Sequence, residues 1–249
     1  MIVHVFSSYT PKDADTVRRQ FIAQYTWKRQ CWTDIGAADD KLPRLWLESI
    51  RALPFIKDVI NAGAAIAKRD SDIIVFTNAD IQMRSDTCHL IVRRLQDVPA
   101  CYAFRRDFPR HDHPVPDADY PRGHDYCGSD LKAFTKLWWH NHAESLPDTL
   151  IGSEGWDSCF RLEIEQSNPG KNVCIRDICA HEKHASTWEN PANRYSIPSQ
   201  QYCLAVCAKY LAAHGVSPSA LGIPHQIIQQ SAMVDAALYN QHVQFKNSI

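Results

Sequence analysis

Asp72-Ile73-Ile74-Val75-Phe76-Thr77-Asn78-Ala79-Asp80-Ile81 is the stretch on which the fold turns. Ile73 to Phe76 is continuously apolar and rich in β-branched residues, as in a central strand covered on both faces by helices. The run stops at Thr77 and gives way to a polar exit. In open α/β sheets ligands sit beyond the carboxyl ends of the strands, so an amide and a carboxylate at that exit are placed for a ligand or a metal. Asn78 and Asp80 are two residues apart and point the same way from an extended backbone, which lets them converge on one ion or one phosphate. The alternative is that both close a turn by bonding their own backbone.

Working outward toward the N-terminus, Ile56, Val59, Ile60, Gly63, Ala64 and Ala67 recur at the three-and-four spacing of one helical face. Their small size implies close packing. Lys68-Arg69-Asp70-Ser71 then leads straight into the strand, completing an α-loop-β unit. At the start of the chain, residues 2 to 6 form a first strand, and Ser7-Ser8-Tyr9-Thr10 is its polar exit. Such a loop can receive a nucleotide base or ribose, although most strand-to-helix loops bind nothing. Thr10-Pro11-Lys12-Asp13 reads as a helix start with Thr10 as the hydroxyl cap and proline in the first turn. The apolar face expected for that helix is Ala14, Val17, Phe21 and Tyr25. A second strand is expected near Lys28 to Thr33.

Composition narrows the class. The chain has 249 residues, 45% of them hydrophobic, enough for one large α/β domain or one domain with an appendage. Lys plus Arg is 27 and Asp plus Glu is 28, so the net charge of −1 provides no global field for nucleic acid or an anionic membrane. Nine cysteines, an odd number with no Cys-x-x-Cys pair, do not suggest a secreted disulfide framework; reduced thiols in a cytoplasm are expected. The apolar Met1 to Phe6 run is too short for a signal peptide, and no long uncharged apolar run follows, so a soluble protein rather than an integral membrane protein is expected.

Toward the C-terminus, Ser85 to Asp97 reads as a helix capped by Ser85, with Cys88, Ile91, Val92 and Leu95 inward, and a strand at Ala100 to Phe104 follows. Between Arg105 and Tyr126 four prolines resist regular structure. This stretch carries Arg105, Arg106, Arg110 and Arg122 with His111, His113 and His124. Its arginines suit a diphosphate or an acceptor; a solvated mixed-charge loop is the alternative. Ser129 or Asp130 can start the helix that contains Trp138 and Trp139. Ile151-Gly152-Ser153-Glu154-Gly155-Trp156-Asp157 leads into another helix, and its two acids, three apart, fall near one side of a first helical turn. The alternative is an acidic cluster favouring the helix dipole, which needs no substrate. Val173-Cys174-Ile175 reads as a late strand, followed by His181-Glu182-Lys183-His184. A helix is expected around Gln200 to His214, with Cys203, Cys207, Tyr210 and Leu211 inward. The tail from Ile227 to Leu238 has apolar residues enough for a helix packed on the core or on a second subunit.

Asn61-Ala62-Gly63-Ala64-Ala65-Ile66-Ala67-Lys68, followed by Ile73 to Asp80, resembles the core of nucleotide-sugar glycosyltransferases of the GT-A fold. The resemblance covers residues 1 to about 190 in the order of elements. It implies a Rossmann-type mixed α/β sheet, mostly parallel and flanked by helices, as a catalytic domain over 1–198, with 199–249 a helical extension packed on it. It further implies a nucleotide-diphosphate sugar as donor and a divalent ion, Mn²⁺ or Mg²⁺, on Asp80, the last position of an Asp-x-Asp motif whose first position is here Asn78. His181 or His184 completes the metal coordination on the same resemblance. Asn61, Ser7, Ser8, Tyr9, Asn78, Arg105 and Arg106 become donor contacts, and Asp157 or Glu154 the base that takes a proton from an acceptor hydroxyl. Trp188, Asn193, Arg194 and Tyr195 become a lid over the donor. The acceptor stays open among glycan, lipid, protein and nucleic-acid base.

Three rival classes are weighed against this. A nucleotidyltransferase would need a Gly-rich phosphate loop after the first strand, which the sequence lacks. A non-catalytic sugar or nucleotide binding module would keep the pocket and lose the base. A metal hydrolase would use His111, His113, His181 and His184, although His-Glu-Lys-His lacks the spacing that puts two ligands on one helical face.

Overall fold

The computed structural model describes residues 1–8, 13–38, 42, 44–45, 53–184 and 198–217. The chain divides into two compact units: Met1–Ala38, Ile60–His142 and Arg161–His184 form the first, and Asp39–Val59, Ala143–Phe160 and Ala185–Ile249 the second. In chain order the elements are β1 (Ile2–Ser8), α1 (Ala14–Trp27), β2 (Thr33–Ala38), β3 (Arg44–Leu45), β4 (Leu53–Pro54), α2 (Ile56–Ile66), β5 (Ile73–Thr77), β6 (Gln82–Met83) and α3 (Thr87–Arg94). They continue with β7 (Ala100–Phe108), a 3-10 turn (Asp117–Arg122), β8 (His124–Asp125), β9 (Leu131–Thr135), α4 (Lys136–His142), α5 (Trp156–Gln166), β10 (Cys174–Glu182) and α6 (Pro198–Ala213).

The first unit is built on an eight-stranded sheet in the order β2-β1-β5-β9-β7-β10-β6, with β8 beside β7. β5, the strand read from Ile73, lies centrally with Ile74, Val75, Phe76 and Thr77 fully buried. It runs parallel to β1, which runs parallel to β2, and β7 runs parallel to β10. The expectation of a mostly parallel sheet is corrected by the rest: β9 is antiparallel to both β5 and β7, β6 to β10, and β8 to β7. After β7 the chain folds back through β8 and inserts β9 into the gap between β5 and β7. A returning loop delivers an antiparallel strand, whereas a parallel one needs a crossover helix.

Helix α2 packs against β1 as its small residues predicted. A Cβ added to Gly63 would lie 3.0 Å from Val5 Cβ. Asp72 locks the turn between α2 and β5 by accepting from the backbone N–H of Lys68 at 2.8 Å and of Arg69 at 2.9 Å, and it also pairs with the N-terminal ammonium.

Helix α1 departs from its expected polarity. Val17, Phe21 and Tyr25 are 50%, 67% and 48% exposed, while Gln20, Ala23, Thr26 and Trp27 are buried. Polar partners decide this. Trp27 Nε1 donates to the Ile81 carbonyl at 2.7 Å, and the Met83 N–H donates to Thr26 Oγ1 at 2.9 Å, so burying this face satisfies the backbone after β5. The N-cap is Asp13, which accepts from the Thr16 N–H at 2.7 Å; Thr10, the expected cap, lies outside the described residues.

Other boundaries also moved. The second strand begins at Thr33 instead of ending there, and α3 starts at Thr87 because the Ser85 hydroxyl is taken by Asp117. β7 runs on to Phe108, into the stretch read as irregular; its prolines begin only at Pro109, and a 3-10 turn and β8 follow. Ser129 and Asp130 precede β9, not a helix, and the helix with Trp138 and Trp139 begins at Lys136.

In the second unit β3 pairs antiparallel with β4, and Phe55 bridges to Leu150. Phe55, Leu150, Tyr202 and Cys203 form its buried cluster, to which α6 contributes its expected inner face. Helix α6 is followed by Gly215, whose φ of +71° suits a glycine. The tail helix expected from Ile227 lies outside the described residues. All nine cysteines are free thiols, and no helix among the described residues is long and apolar enough to cross a membrane.

Candidate metal centre

At the carboxyl end of β5 the strand geometry stops, and Asn78 to Ile81 form a turn in which the Ile81 N–H reaches the Asn78 carbonyl at 3.4 Å. The alternation expected to bring Asn78 and Asp80 onto one ion therefore does not apply. Asn78 turns to Asp130, donating Nδ2 to Oδ1 at 2.8 Å, and Asp80 turns to the two histidines. Asp80 Oδ2 lies 3.5 Å from His181 Nε2 and 3.4 Å from His184 Nε2, and the two Nε2 atoms are 3.2 Å apart. His181 sits within β10, which extends to Glu182, and His184 just beyond its end.

These three atoms suit a divalent ion. Ligands about 2.0–2.1 Å from a tetrahedral ion are separated by about 3.3–3.4 Å, while octahedral magnesium holds neighbouring ligands about 2.9 Å apart. Two imidazoles with one carboxylate are transition-ion donors rather than magnesium donors. Both histidines join Asp80, so the choice the sequence left between them does not arise.

A carboxylate orients the inner histidine, as metal-binding imidazoles require. His181 Nδ1 faces Asp107 Oδ1 at 3.1 Å, in line with the parallel register that sets His181 beside Asp107. Arg105 donates Nε to Asp107 Oδ1 at 2.8 Å and Nη1 to Asp130 Oδ2 at 3.1 Å, and its guanidinium lies 3.7 Å from the centre of the Tyr126 ring. A chain of polar contacts thus runs from Asp80 through His181, Asp107, Arg105 and Asp130 to Asn78. Burial alone would lower the His181 pKa, but the charge of Asp80 and the bond to Asp107 outweigh it and raise the pKa to about 9. Burial would likewise raise the carboxyl of Asp80, yet the two histidines hold it well below the usual range.

Sequence reading missed Asp107 and took Asp130 for a helix cap. Arg105-x-Asp107 was the available signal, because strand alternation puts both on one face, but it becomes visible only if β7 continues past Phe104. The same alternation corrects the pairing of Arg105 with Arg106: Arg106 faces the opposite side of the sheet, donating Nε to Asp177 at 2.7 Å and pairing with Asp125.

Ser7 and Ser8 end β1 beside the end of β5, since Phe6 pairs with Thr77 in parallel register; Tyr9 lies outside the described residues. Asn61 accepts from Trp139 Nε1 at 2.9 Å and so ties α2 to α4. His111 is held by Gln82 at 2.6 Å and by the Pro109 carbonyl at 2.7 Å, and neither it nor His113 joins the cluster. Glu182, next to His181, is neutralised by Arg18. Asp157 and Glu154 belong to the second unit. α5 begins at Trp156, so Asp157 is in its first turn and Glu154 precedes it, with its N–H donated to Gln200 Oε1 at 2.8 Å; the two do not share one helical turn as expected. The expected lid residues Trp188, Asn193, Arg194 and Tyr195 lie outside the described residues.

Fold and site together define a mixed α/β protein whose sheet carries a two-histidine, one-carboxylate centre at the end of a central strand. No protein-family profile and no curated protein matches the chain. Among solved structures, it is similar to S. aureus TarS 1-349 in complex with UDP-GlcNAc, at 10% identity and a TM-score of 0.48, over 92% of this chain and 79% of that one. TarS 1-349 alone gives 8% identity and 0.45 over 91% and 69%, and its complex with UDP gives 9% and 0.43 over 93% and 70%. Likenesses at this level leave the functional reading to rest on the residues of the site.

Proposed function

We propose that the protein is a metal-dependent glycosyltransferase that moves a sugar from a nucleotide-diphosphate sugar to an acceptor hydroxyl. The observation that carries this reading is the convergence of Asp80, His181 and His184 beyond the end of β5, where open α/β sheets bind ligands. Those three residues hold the ion, which when bound supplies positive charge against the departing diphosphate. Asp107 fixes the His181 ring so that Nε2 faces Asp80. Arg105, committed to Asp107 and Asp130, adds a fixed positive charge and keeps those carboxylates in place. Ser7, Ser8 and Tyr9, with Asn61 and Asn78, remain donor contacts by the GT-A resemblance, and Asp157 or Glu154 the base for the acceptor hydroxyl; Arg106, on the opposite face of the sheet, is not among them. Residues 1–198 carry the transfer, with 199–249 as an extension of the chain.

Thermal unfolding against a panel of nucleotide sugars that includes UDP-GlcNAc, each with and without Mn²⁺, tests the reading, because a ligand of the folded state raises the midpoint. A shift that needs both nucleotide and metal and is lost in Asp80→Ala is expected. No shift with any nucleotide in folded protein refutes it. A zinc-dependent hydrolase is the second reading, favoured by ligand separations that match a tetrahedral ion. A midpoint raised by Zn²⁺ and indifferent to every nucleotide selects it.

A further inference from the structure

Across the sheet from the metal centre, the face of β7 that carries Phe104 and Arg106 borders an open cleft of about 350 Å³. Arg161 from α5 and Arg176 from β10 also line it, together with Tyr126. Arg106 is already committed, lying between Asp125 and Asp177. The other two guanidiniums have donors to spare. Arg161 approaches Glu165 only at 3.9 Å and rests 5.9 Å over the Phe104 ring, and Arg176 is exposed with no ion-pair partner among the described residues.

A backbone distortion forms one wall of this cleft. Between the pairs Ile175 with Ala103 and Cys179 with Arg105, the chain advances four residues on β10 against two on β7. The two extra residues make a bulge, and within it Asp177 adopts φ +58°, a left-handed conformation that a non-glycine residue seldom takes. The contact from Arg106 Nε at 2.7 Å holds Asp177 there. Bulges re-aim side chains, and such strained residues persist where surrounding contacts over-determine them.

We infer that this cleft is a second ligand site, separate from the metal centre, that takes a phosphate-bearing molecule. A guanidinium offers a planar fork of donors to an oxyanion, and one such fork satisfies a carboxylate. Two uncommitted forks in one cleft match the larger, more highly charged phosphate group. The Phe104 ring, beside Arg161, offers an apolar surface where the rest of an organic phosphate would lie. This inference does not depend on the glycosyltransferase reading.

Cys127, an exposed thiol lining the cleft, gives a local readout, with the exposed Cys31 as internal reference. The full chain is alkylated with iodoacetamide in the presence of phenyl phosphate, inorganic phosphate or benzoate, and each cysteine is followed by mass spectrometry. Phenyl phosphate is expected to slow Cys127 saturably and leave Cys31 untouched. Arg176→Gln and Arg161→Gln should each weaken that protection roughly tenfold or more, as loss of a charge-assisted contact implies. Asp80→Asn should leave it unchanged. Equal protection by inorganic phosphate supports the site and names free phosphate as its source; stronger protection by phenyl phosphate supports it and names an organic phosphate. Protection by benzoate as strong as by either phosphate overturns the inference. So does protection that survives both arginine variants, or none at millimolar concentrations.

Discussion

Metal binding at Asp80, His181 and His184 should displace a proton, and the size of the effect follows from the contacts of His181. With its pKa raised to about 9, the His181 imidazole is charged at neutral pH, whereas an ion needs its Nε2 lone pair. At pH 7 the competition weakens apparent affinity by about 10², the two-unit gap between pH and pKa. Affinity should therefore climb about tenfold from pH 7 to 8 and level off above about pH 9. Without metal, stability moves the other way. A raised histidine pKa contributes stability fully present below the unfolded value of 6.5, and that contribution fades as pH rises through about 9. Perturbing Asp107 separates this account from a general pH effect. Asp107→Asn removes a charge that helps hold the proton on His181, so the plateau should begin at lower pH. Calorimetric titration of Zn²⁺ or Mn²⁺ in buffers of different ionisation enthalpy, from pH 7 to 9.5, measures affinity and protons released together. Affinity that is flat across that range, or binding without proton release at pH 7, refutes the reasoning.

Three stability predictions concern the elements that position the site. Asp130→Ala removes a buried partner of Arg105 and the acceptor of the Asn78 amide, and should destabilise by on the order of 3 kcal/mol, read as a lower urea midpoint. Gly63→Leu drives a side chain into Val5 and should cost about 1–3 kcal/mol by the same measurement; an unchanged midpoint would mean that α2 does not pack on β1 as described. Trp27→Phe strips the donor from the buried Ile81 carbonyl and should cost about 1–3 kcal/mol in thermal unfolding, with hydrogen exchange rising around β6.

Helix α1 and strand β7 mark the limits of reading by pattern. In α1 the spacing predicts Val17, Phe21 and Tyr25 inward, but the inward face is chosen by the hydrogen bond Trp27 donates to the Ile81 carbonyl and the one Thr26 accepts from the Met83 N–H, both far along the chain. Periodicity records hydrophobicity and carries no record of such partners. In β7 the sequence from Arg105 is charged and precedes four prolines, so nothing local marks the strand as continuing to Phe108. Pairing with β10 continues it, through register from Arg105 to Phe108.

By itself the sequence determined β5, the helix α2 packed before it, and the polar exit with Asp80. Each follows from short-range rules: an apolar β-branched run, small residues at helical spacing, and an abrupt change to polar side chains. His181 and His184 were in view as candidates, yet their meeting with Asp80 was not a local property. It arises because β10 docks in parallel beside β7, a hundred residues after β5, and sets His181 level with Asp107. Tertiary structure alone decided the antiparallel insertion of β9, the opposite facing of Arg105 and Arg106, and the roles of Asp107 and Asp130. Each of these depends on which strands become neighbours, and strand neighbourhood is a long-range choice made by burial and pairing of the whole sheet.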